Sequence, residues 1–92
     1  MLLNLLAHYL RDIEASVRSI GEAHVERYEE EILGEDRANV RIRIRFSTGY
    51  LLELNEAVLV EEGRITHLGY RYHLQDGQNH LVFRYNNTPH FA

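Results

Sequence analysis

Leu2, Leu3, Leu6, Leu10, Ile13, Val17 and Ile20 fall on one stripe, advancing mostly by three or four residues. That spacing predicts an amphipathic helix over residues 1–20, with Gly21 at a natural stop position. Beyond Gly21 the period drops to two. The chain then reads as five strands, at 24–33, 38–46, 50–60, 64–75 and 78–86, followed by a tail at 87–92. No internal repeat, low-complexity segment or linker interrupts them. The expected class is α+β: one domain over 1–92, with the N-terminal helix packed on one face of a five-stranded antiparallel β-meander sheet.

Turn chemistry sets the expected registers. Strand two alternates Val40, Ile42, Ile44 and Phe46 with Arg41, Arg43 and Arg45. A three-residue loop, Ser47-Thr48-Gly49, pairs Ile44 with Leu52 and keeps both faces consistent. A second loop of the same kind, Glu61-Glu62-Gly63, pairs Leu54 with Tyr70 and Leu52 with Tyr72. Asp76-Gly77 reads as a two-residue type I′ turn that pairs Tyr72 with Leu81 and His73 with His80. The helix-side face is then apolar apart from Glu56. That misfit predicts a bulge near Asn55-Glu56-Ala57 or a place beyond the helix footprint.

The opposite face follows from the same registers. Its expected rows are Arg41–Asn55–Gly69–Arg84, Arg43–Glu53–Arg71–Val82 and Arg45–Leu51–His73–His80. Gly69 leaves a shallow dent between Asn55 and Arg84 where a base or phosphate fits. The surface is basic although the net charge is −4, and all ten basic residues are arginine. Arginine suits bidentate phosphate contact. With no cysteine, disulfides and thiolate zinc sites are excluded. The apolar start, MLLNLLAHYL, is too short to span a bilayer and lacks the marks of a signal peptide.

This face suits metal-independent phosphodiester cleavage. The reaction needs a base for the RNA 2′-hydroxyl, an acid for the leaving 5′-oxygen and cations for the phosphorane. His73 or Glu53 fits the base, and His80 or His73 the acid. Arg43, Arg71 and Arg84 fit the clamp, with Arg41 and Arg45 on RNA. The same pattern also describes an ordinary solvated face, with Glu53 in a cross-strand charge pair. A metal site on His73, His80 and His90 is the third reading. No metal-ligand spacing supports it, and the arginines would repel a cation.

Tyr70-Arg71-Tyr72-His73-Leu74-Gln75-Asp76 and Leu81-Val82-Phe83-Arg84-Tyr85-Asn86-Asn87-Thr88-Pro89-His90 carry a further signal. With the N-terminal helix, the alternating arginines and Leu52-Glu53-Leu54, these motifs make the chain resemble the TumE family of bacterial toxins. The resemblance implies the toxin half of a type II toxin–antitoxin pair. Such a toxin is small and cytoplasmic, is bound by a protein antitoxin and acts on RNA or translation, with no cofactor and no membrane partner. It carries over to Arg71, Tyr72, His73, Arg84, Tyr85, Asn86 and His90. The alternative is a non-catalytic module, dimerising or partner-binding, as an inactive or truncated relative. Its basis is the acidic total, the inward tyrosines and an end at Ala92, where the family pattern runs on into a histidine-rich segment.

Overall fold

The structure is a computed structural model that describes residues 3–87. It contains helix α1 (Asn4–Arg18) and strands β1 (Ala23–Ile32), β2 (Arg37–Phe46), β3 (Leu51–Glu61), β4 (Arg64–Gln75) and β5 (Leu81–Asn86). The strands form one antiparallel sheet in the order β1-β2-β3-β4-β5, with α1 against β3 and β4.

The helix is shorter than its hydrophobic stripe. No side chain caps its start, but the Leu3 amide donates to Glu35 O at 2.8 Å and ties that end to the β1–β2 turn. At the other end Ser19 Oγ donates to Ser16 O at 2.8 Å, an alternative to continuing the helix. The left-handed residue of this connection is Glu22, at φ 55°, rather than Gly21. Leu6, Leu10 and Val17 bury themselves against Ala38, Val40, Ile42, Ile44 and Val58, forming the core.

Three hairpins set what faces what. The β2–β3 loop is as expected: Gly49 is left-handed at φ 92°, and Ile44 pairs with Leu52. The β3–β4 loop is one residue shorter than expected. Glu61 pairs with Arg64, and Glu62 and Gly63 both have positive φ, the signature of a type I′ turn. A bulge at Leu68 then shifts the register again, so Leu54 meets Tyr72 rather than Tyr70. The β4–β5 loop is longer than expected. The Asp76 carboxylate accepts N–H bonds from Gln78 and His80, at 2.8 and 2.9 Å, and Asn79 takes the left-handed position at φ 67°. Tyr72 therefore meets Tyr85 rather than Leu81. Over the central sheet these errors amount to two and four residues. Both are even, so the residues keep their faces while the rows slide.

Glu56 lies under the helix, not beyond it. Its carboxylate accepts hydrogen bonds from Tyr9 of α1 and, at 2.8 Å, from Tyr72 Oη. His67 Nε2 lies 3.1 Å from Oε1. The expected irregularity falls on β4, at Leu68, across from Ala57 and Val58.

Candidate functional site

The open face of the sheet carries two adjacent rows that span the registers. One is Arg43–Glu53–His73–Arg84 and the other Arg41–Asn55–Arg71–Asn86. Five of the expected residues, Arg43, Glu53, His73, Arg84 and Arg71, thus come together, with Arg41 and Asn86 beside them. The order differs from expectation. Glu53 faces His73 instead of Arg71, and His73 faces Arg84 instead of His80.

His80 is the residue that the longer loop removes. It sits at the hairpin tip with Nδ1 3.4 Å from Asp76 Oδ2. The backbone amides of His80 and Gln78 hold the Asp76 carboxyl below its usual range. The trio His73, His80 and His90 therefore has no shared location: His80 is elsewhere, and His90 lies outside the described residues.

Six arginines share the open face, Arg27 across from Arg43 among them, and they are not equivalent. A bulge in β1 between Val25 and Arg27 projects Glu26 onto this face. Its Oε1 accepts from Arg43 Nε at 3.0 Å and its Oε2 from Arg45 Nε at 3.2 Å. Those bonds, Arg45 first, hold the Glu26 carboxyl below its usual range. Arg43 also approaches Glu53, at 3.5 Å. Arg41, Arg71 and Arg84 have no ion-pair partner among the described residues. Arg41 has Glu29 as its cross-strand neighbour on β1, and Arg41 and Arg71 flank Asn55 in its row.

His73 is half-buried and held. Its Nε2 lies 3.1 Å from Gln75 Oε1, and the Gln75 amide donates to Asn79 Oδ1 at 2.9 Å. Because Gln75 Oε1 can only accept, Nε2 carries a proton in this contact. Nδ1 is buried without a partner. An imidazole and a carboxylate on neighbouring strands, with guanidiniums alongside, are groups of the kind that proton transfer at a phosphate uses. Between the arginines the surface sinks into a concavity of about 440 Å³.

Three features lay outside the sequence-based expectation: Glu26 on Arg43 and Arg45, Gln75 on His73, and the cluster of Tyr9, Glu56, His67 and Tyr72. The first and third had a signal in the spacing. Val25 and Tyr28 both pack on the helix side although three residues apart, and His67 and Tyr70 repeat that odd step. An odd step between two residues of one face implies an inserted residue. In the cluster, burial and the bond to Glu56 raise the Tyr9 hydroxyl pKa well above its usual range, and Tyr72 is pushed up to about 12 by the same causes.

Fold and site define a helix-backed antiparallel meander whose uncovered face is basic and bears a histidine. The family model of Toxin TumE matches residues 6–92, so the chain belongs to the toxin TumE family and has a toxin role. No curated protein and no solved structure matches the chain. Among the described residues no helix is long and apolar enough to cross a membrane.

Proposed function

We propose that this toxin is a metal-independent endoribonuclease that acts in the cytoplasm and is restrained by a protein antitoxin. The observation that carries the proposal is the row in which Glu53, His73 and Arg84 are successive cross-strand partners. With His80 held at the hairpin tip, the proton transfers fall to two groups. The Glu53 carboxylate takes the 2′-hydroxyl proton, and that oxygen attacks the phosphorus. The 5′-oxygen leaves with a proton from the His73 imidazolium. The products are a 2′,3′-cyclic phosphate and a 5′-hydroxyl. Arg84 and Arg71 offset the charge of the phosphorane. Arg41 and Asn86 bind the chain alongside, while Arg43 and Arg45, shared with Glu26, contribute less. For His73 to donate from Nε2, the Gln75 amide must swing aside.

The test is cleavage of RNA by the purified chain in excess EDTA, with analysis of the product ends. Cyclic phosphate ends are expected, and His73→Ala should lower the rate by about 10²- to 10⁴-fold, as for loss of a general acid. A His73→Ala chain that cleaves as fast as the parent would overturn the assignment.

A second reading, a non-catalytic module that pairs through a sheet edge, is favoured by β5. Outermost among the described residues, this strand exposes Leu81, Val82 and Tyr85, and a strand edge is a template for another chain or a second copy. RNA left intact by the purified chain, together with a dimer mass in solution that Val82→Lys abolishes, would favour it.

A further inference from the structure

We propose that the concavity beside the Glu53–His73–Arg84 row is a base-binding subsite and that Asn55 reads the base. The inference deepens the nuclease proposal and rests on it for the choice of an RNA ligand. The surface sinks where two neighbouring strands carry the smallest side chains, at the paired positions Ala57 and Gly69. A Cβ placed on Gly69 would meet only Asn87 Oδ1, at 3.8 Å. The floor is therefore largely peptide backbone, flat enough for a ring to lie on. The bulge at Leu68 adjoins this floor, and bulges add local twist and bend.

A volume of about 440 Å³ exceeds what a lone phosphate fills and falls in the range of small-ligand clefts. Arg41 and Arg71 stand on either side of Asn55, both without ion-pair partners among the described residues. Planar guanidiniums in that position stack on a base or hold its phosphate. The two amides of the concavity differ. Asn39 donates to Glu31 Oε1 at 3.0 Å, which ties it to the rim. The Asn55 amide, central in its row, has no hydrogen-bond partner among the described residues and presents one donor and one acceptor. That pair matches the N6 and N7 edge of adenine.

The neighbouring row lies two residues along each strand, about 6.6 Å away. A base held over Gly69, four residues and about 13 Å along β4 from His73, thus belongs to a nucleotide flanking the phosphate that His73 and Arg84 would address. Anion binding alone would leave neither Asn55 nor the backbone floor a role.

The experiment is calorimetric titration of the full chain with 2′-O-methyl ApA and 2′-O-methyl UpU, which lack the nucleophilic hydroxyl and cannot be cleaved. ApA should bind about tenfold or more tighter than UpU. Asn55→Ala should erase that preference, and Gly69→Leu should weaken both ligands by filling the floor. The urea midpoint of each variant checks that it is folded. Equal binding of the two dinucleotides, no binding of either, or a preference that survives Asn55→Ala would overturn the subsite. A chain that shows the preference yet cleaves no RNA keeps the subsite and loses the nuclease proposal.

Discussion

Glu56 and Glu53 are three residues apart on one strand and end in opposite environments. Glu56 is 9% exposed and accepts from two tyrosine hydroxyls, whereas Glu53 stands on the open face beside Arg43. Glu56→Ala leaves the Tyr9 and Tyr72 hydroxyls without their acceptor at the helix–sheet interface. It should cost about 2–3 kcal/mol in urea unfolding, the range for unsatisfied buried polar groups. Glu53→Ala removes only an exposed pair and should cost less than about 1 kcal/mol. The two tyrosines also predict an alkaline transition. The folded Tyr72 hydroxyl titrates near 12, against 10.0 for the free group, with Tyr9 shifted the same way. Between those values the native state holds protons that the unfolded chain releases, so stability falls as pH rises. Urea midpoints should be level across pH 8 to 9 and decline through the interval from 10 to 12. Tyr9→Phe combined with Tyr72→Phe should reduce that decline, with the remainder due to Tyr28, which burial and Glu30 shift in the same direction.

At the scale of elements, the faces of the sheet were legible in the sequence and the rows were not. Alternation in β2 and the Ser47-Thr48-Gly49 loop gave the β2–β3 register residue for residue. Asp76-Gly77 misled because the turn is made by the Asp76 side chain and by Asn79 at positive φ, not by Gly77. Two positive-φ turn positions are held by Glu62 and Asn79, residues whose backbone preference carries a weaker signal than glycine. The central sheet slid by even steps, so Arg71, His73 and Arg84 stayed on the face expected for them, while His80 left it and a bulge at Val82 set Leu81 across from Gln75 instead of on the helix side. The bulge that delivers Glu26 needed a β1 register, which the sequence did not set. These turns make a direct prediction. Asn79→Gly should be near neutral, while Asn79→Val should cost about 1–2 kcal/mol, because a β-branched residue resists the left-handed conformation. Guanidinium unfolding of the two variants distinguishes them.

Across the whole molecule the sheet divides its labour. One face is closed by α1, through Leu6, Leu10 and Val17, and keeps a polar cluster inside that seam. The other face lies open, with Arg71 and Arg84, which have no ion-pair partner among the described residues, beside Glu53 and His73. The net charge of −4 is no guide to this surface, because acid and base are unevenly placed: Glu29, Glu30 and Glu31 run along the far strand β1, away from β4 and β5. The family supplies the toxin role, and the open face supplies the place for it. Growth arrest on expression of the parent chain, His73→Ala, Arg84→Ala and the helix-side control Tyr72→Phe tests that placement most directly, with soluble protein levels measured for each. The first two variants should lose arrest at undiminished protein levels, while Tyr72→Phe keeps it. Full toxicity of both open-face variants would contradict the account.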